Sequence, residues 1–306
     1  MGFKEKSQFI SASMEELIND SVNLFRETNK DMIESNLDPN GIANVLRASA
    51  SLSMSALNEW ENISFPQLDG MTPKQFFDSL NSIDEIIEMV SLIDSKCGGL
   101  LPTGLCIRIM GLDKSLQDDL LAVLSSINEK KNKSLSPEQA AAVHVAGILL
   151  LPQYIDILVG IISHLDINAC NQSTFIMLMD IIRNIGEPAL DTLVKMIEDA
   201  DVNDNKYRYL LITTAKIASN KKSEQVFNLL KDCFRKSESK LAEATALSVY
   251  GDGRAIPAIR GYVEKNINKL SLWEYSQFRE SILILGGSMG DLDYYFNIYN
   301  GAQKDV

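Results

Sequence analysis

At 306 residues, 45% of them hydrophobic and 23% charged, the chain is long enough to bury a sizeable core and has the composition of a folded protein. Lysine and arginine number 29 against 41 acids, and a net charge of -12 repels phosphate backbones, which argues against nucleic acid as a partner. The cysteines Cys97, Cys106, Cys170 and Cys233 lack the spacing of a zinc knuckle and lie in apolar helical contexts, so they read as reduced packing residues of a cytoplasmic protein.

The N-terminus lacks the apolar block of a signal peptide, and residues 1–10 read as a lead-in. Met-Gly with a nearby Ser7 resembles a myristoylation signal, but the serine comes one place too late. Ser13 and Glu16 have the spacing of a capping box, in which the serine accepts from a backbone N–H and the glutamate reaches back. A helix is expected from there to about Asn36, with Leu17, Val22, Phe25 and Met32 inward. Asp38-Pro39 opens a second helix, since proline suits the first helical turn. It carries ASASLSMSA from Ala48 to Ala56, small residues that admit a close neighbour, among Leu46, Leu52, Leu57 and Trp60. The turn from Phe65-Pro66 to Gly70 closes an N-terminal helical region, 1–70.

Thr72-Pro73-Lys74-Gln75 and Ser82 to Glu85 are further capping boxes, and Cys97-Gly98-Gly99 stops the helix from Ile83. Pro102 to Met110 and Ser115 to Asn128 form a hairpin, and Asn128 to Ser136 is a solvated polar loop. Residues 71–136 therefore read as diverged helical hairpins. Ser136-Pro137-Glu138-Gln139 opens the most apolar stretch, Ala140 to Leu165, whose length approaches that of a membrane span. Pro152, Gln153 and Asp156 interrupt it, which favours a buried hairpin over a span, so no membrane partner is expected.

From residue 137 to 306 one object recurs. A helix stops near Gly147, Gly186, Ser219, Gly251 or Gly286, and a second helix opens on Ile155, Leu190, Val226, Ile256 or Leu292. The openers are 35, 36, 30 and 36 residues apart, a period that signals a solenoid. Three residues on come Leu158, Leu193, Leu229, Ile259 and Tyr295, on the same helical face. The phrases GEPALDTLVKMI and GDGRAIPAIRGYV, with Gly251 to Pro257 the nearest match, resemble HEAT repeats of the short bacterial kind also seen in bilin lyases. The resemblance extends over 174–265, and more loosely over 137–165 and 271–302. The unit from Tyr207 to Lys236 departs from it, with Ser219 for glycine and Phe227 where the next unit has Pro257. It implies an all-α fold, an α-solenoid built as a right-handed superhelix of HEAT-like hairpins, with the N-terminal helical region continuous with it.

No catalytic constellation emerges, and neither an enzyme nor a cofactor is expected. His144 and His164 have no carboxylate or cysteine at ligand spacing. Gly286-Gly287-Ser288-Met289-Gly290 matches a nucleophile elbow formally, but no histidine follows Ser288, and the same glycines serve as a helix stop. GGSMG also lacks dinucleotide-loop spacing. Asp118-Asp119 and Asp199 to Asp201 read as solvated charge.

The repeat implies that second helices line a concave, partner-binding side. On them Lys195, Asn228, Lys231, Tyr294 and Asn297 are the expected polar contacts, against the plainer reading that they are simply solvated. The expected function is a non-enzymatic scaffold that binds a protein or peptide. The two lysines suggest an acidic segment. A HEAT-like alkylpurine DNA glycosylase is disfavoured by the acidic charge, and a bilin lyase-type chaperone rests on repeat style alone.

Overall fold

The computed structural model describes residues 1–35, 39–167, 172–202, 204 and 206–302, and among these the fold is helical, with no strand. It divides into two compact units, Met1–Leu150 and Leu151–Val306. Regions 1–70 and 71–136 both fall in the first, together with 137–150.

The first unit comprises α1 (Phe3–Thr28), α2 (Lys30–Ser35), α3 (Pro39–Trp60), α4 (Pro73–Asp78), α5 (Ile83–Cys97), α6 (Thr103–Met110), α7 (Lys114–Lys130) and α8 (Pro137–Leu149). Helix α1 packs on α3 and α5, α5 on α8, and α4 on α6. The expected lead-in is instead the start of α1. Ile10 and Met14 are fully buried and carry the apolar face through the serines. The Ser13 hydroxyl donates to the Ile10 carbonyl within the helix, at 3.2 Å, and Glu5 caps the true start by accepting from the Gly2 N–H at 3.0 Å. Leu17 and Val22 are only half-buried, Phe25 is buried, and the Met32 side chain lies outside the described residues. In α3, Leu57 and Trp60 are buried while Leu46 and Leu52 are exposed. The boxes at Thr72 and Ser82 form as expected, and a further one forms at Ser136, where α8 opens.

Glu61, next to the end of α3, ties that helix to the short α6 from inside. It is 4% exposed, and its Oε1 accepts from the Gly104 N–H at 2.7 Å, in the first turn of α6. Pro102 caps that helix without a side-chain bond, so Glu61 supplies an acceptor for one of the first-turn N–H groups that a helix leaves unpaired.

Helix α8 does not stop at Gly147. It runs to Leu149, and Leu150 takes the left-handed conformation at φ 49°. A mid-helix glycine costs about 1 kcal/mol, which the burial of Val145 and Ala146 beside it outweighs. The apolar stretch is broken at Pro152, and no helix among the described residues is long and apolar enough to cross a membrane.

The second unit holds α9 (Ile155–His164), α10 (Gln172–Ile185), α11 (Leu190–Glu198), α12 (Tyr207–Ala218), α13 (Glu224–Lys236), α14 (Leu241–Tyr250), α15 (Ile256–Asn266), α16 (Leu272–Ile284) and α17 (Leu292–Ala302). Even-numbered helices pack in chain order, α10 on α12, α12 on α14 and α14 on α16. Odd-numbered ones lie against them, α11 on α12, α13 on α14 and α15 on α16. Gly186, Gly251 and Gly286 take positive φ at 84°, 76° and 83°, where a side chain would be strained, and Ser219 ends α12 in ordinary helical conformation. Successive turns are stitched together. Lys221 pairs with Glu187 at 2.5 Å, Arg254 with Glu224 at 2.9 Å, and the Tyr250 hydroxyl donates to the Ser223 carbonyl at 2.9 Å.

The expected inward residues hold at Leu158, Leu193 and Ile259, all fully buried. Leu229 is half-buried, and Leu230 occupies the core beside it. Tyr295 is exposed. The last helix is turned by one residue, so that Phe296 is buried and stacks on Tyr275 at 3.8 Å.

Candidate functional site

A cleft of about 450 Å³ opens between α11 and α13. Helix α11 contributes Val194, Ile197 and Glu198. Helix α13 contributes Asn228, Leu229, Asp232, Cys233 and Lys236, and Tyr207 enters from the first residue of α12. The floor arises from the amphipathic period. In α13, Val226, Leu230 and Phe234 point into the core, which leaves 228, 229 and 232 to face α11. The rim is charged, with Glu198 and Lys236 exposed and Asp232 paired to Arg235 one turn on.

Behind the floor lies a buried polar cluster. The Tyr207 hydroxyl lies beside the Cys233 thiol, and burial pushes both groups up in pKa. Glu243, 2% exposed, is close enough to raise both further. Its own carboxyl is raised by burial, against the lowering influence of its backbone N–H, Ser237 and Lys240, and its Oε2 has no hydrogen-bond partner. A raised thiol is a weaker nucleophile at neutral pH, and the cluster sits where it organises the floor.

Of the residues expected to make polar contacts, Asn228 lines the cleft. Lys195 is exposed on α11 and Lys231 half-buried on α13, and both lie outside the lining. Tyr294 and Asn297 are exposed on α17, at the far end of the chain order. Adjacent odd-numbered helices do communicate, because the Thr192 hydroxyl on α11 donates to Asp156 on α9 at 3.2 Å. No family model, curated protein or solved structure matches this chain. The geometry alone carries the reading.

The remaining candidates have local explanations. His144 Nδ1 meets the Asp94 carboxylate at 3.0 Å across α8 and α5, a pair 50 residues apart that periodicity does not reveal. The thiols of Cys97, Cys106 and Cys233 are free. Burial raises all three, Cys97 to about 11. Cys170 lies outside the described residues. In the GGSMG turn the Ser288 carbonyl accepts from Arg260 at 3.0 Å, and a side chain at Gly287 would meet Ile282 at 2.9 Å. These are packing constraints. Among the described residues no group of His, Cys, Asp or Glu is arranged to hold a metal ion.

Proposed function

We propose that the second unit is a HEAT-like right-handed α-solenoid and that the chain is a non-enzymatic scaffold, binding a segment of another protein in the groove between α11 and α13. The observation that carries this reading is the ordered packing of α10, α12, α14 and α16, which leaves the odd-numbered helices to line an open cleft. Extended grooves of this kind are how stacked helical repeats engage partners. The lining favours a segment of mixed character, with an apolar side chain over Val194 and Ile197 and a cation beside Glu198. An acidic segment would contact Lys195 and Lys231 outside the cleft instead.

The two modes separate in a peptide-binding assay. Immobilised peptides of graded charge are probed with the wild-type chain, with Asn228→Arg, which fills the cleft, and with the double variant Lys195→Glu/Lys231→Glu. Loss of basic-apolar peptides from Asn228→Arg alone supports the cleft. Loss of acidic peptides from the double variant alone supports the lysine column. Binding that neither variant changes contradicts a groove on these helices.

A further inference from the structure

We propose that the outer face of α16 is a twofold interface between two copies of this chain. The inference is independent of the partner groove. Helices α12 and α14 are covered by neighbours on both sides, and no residue of α14 is exposed. Helix α16 packs on α14 and α15 and buries Phe278 and Ile282, with Tyr275 turned to Phe296 of α17, yet carries apolar residues on its other side as well. Leu272 is 68% exposed, Trp273 63%, Leu283 45% and Ile284 60%. At 100° per residue these four share one arc with Ser276, Arg279 and Glu280. Exposed apolar surface of this extent, rimmed by polar groups, marks an interaction site.

The order of residues along that arc identifies the occupant. Its apolar-polar pattern is symmetric about position 278, with an apolar pair at each end and polar residues between. In an antiparallel pair of α16 helices, Leu272 faces Ile284, Trp273 faces Leu283, Ser276 faces Glu280 and Gln277 faces Arg279. A twofold interface requires this self-complementarity, since each patch must satisfy its own copy. The small Ser276 near the axis allows close approach. The charges also fit. Arg279 is held by Asp293 of α17 at 3.2 Å, so Glu280 is the one unpaired charge among the seven residues of the arc, a small share of the net charge of -12.

The test is the mass of the full-length chain in solution by multi-angle light scattering. The expected result is twice the chain mass of 34.0 kDa, falling to a single chain in Trp273→Glu with an unchanged helical circular dichroism spectrum. A matched control, Leu46→Glu on the exposed part of α3, leaves the dimer intact. Direction is read by disulfide formation. A mixture of Ser276→Cys and Glu280→Cys chains cross-links well above either alone and above the wild-type background. A wild-type mass of one chain overturns the proposal and leaves the face to a different partner. A dimer indifferent to Trp273→Glu, or Ser276→Cys cross-linking alone as well as the mixture, overturns it equally.

Discussion

Glu243 stands in the first turn of α14, almost without exposure and with one oxygen unpartnered. Burial raises its carboxyl above the ordinary value of 4.5, so the native state holds that proton more tightly than the unfolded chain does. A raised native pKa means that stability from this group is complete below the unfolded value and is lost as pH rises through the native one. Glu61, raised by burial as well, acts with the same sign. Glu243→Gln should therefore lose less stability, or gain more, than the wild type as pH rises from about 4.5, and the difference in melting temperature between the two should change across that range. Melts followed by circular dichroism across that range decide it, and parallel curves for the two proteins would rule out a native-state titration of Glu243. Lys240 works differently. Its Nζ donates to the carbonyls of Phe234, Arg235 and Ser237 at 2.6, 3.1 and 2.6 Å, closing the end of α13. Hydrogen bonds to a charged group contribute about 1.5–3 kcal/mol. Lys240→Met should lower the unfolding free energy in urea by that order, and an unchanged midpoint would show those carbonyls to be satisfied by water.

At the scale of the helix, the capping boxes are the features that local chemistry dictates most directly. The Ser271 hydroxyl accepts from the Glu274 N–H at 3.2 Å, and Glu274 accepts from the Ser271 N–H at 2.8 Å. Ser271→Ala should cost about 1 kcal/mol in chemical denaturation. Gly287→Ala should cost about 1–3 kcal/mol, because the new methyl group overpacks the core against Ile282 and Ile256. If the two variants ranked the other way, the tight packing at Gly287 would be relieved by movement of the turn. Boxes at Thr72 and Ser82 were legible in the sequence because cap and partner are three residues apart, the same spacing that forms the boxes at Ser136 and Ser271. The same rule failed at Ser13. Spacing alone does not distinguish a cap from a serine on a packed helical face, where Ser7 and Ser11 are buried on either side of Ile10. Gly147 failed for a related reason, since a glycine is a helix stop only where packing does not carry the helix past it.

Across the whole molecule, helix content and the order of the second unit's elements followed from apolar periodicity, because burial of a face is written every three or four residues. The cleft was legible only through Asn228. Its floor depends on Tyr207, Cys233 and Glu243, which three different helices supply, and no local pattern joins them. The Asp94–His144 pair was invisible for the same reason. Apolar pattern reports which face turns inward, whereas a polar contact reports which distant segment arrives there, and only the second requires the tertiary structure.

The central claim is that a protein segment occupies the groove between α11 and α13. Site-specific photocrosslinking in the native host's lysate tests it most directly, with a benzophenone amino acid placed in turn at Asn228, at Lys195 and at Lys216, which is exposed on α12. The expected result is one dominant protein adduct from position 228, mapped by mass spectrometry to a single segment, weak at 195 and absent at 216. Equal adducts from all three positions, or none from 228 while 195 or 216 reacts, would contradict the groove and place the partner elsewhere on the chain.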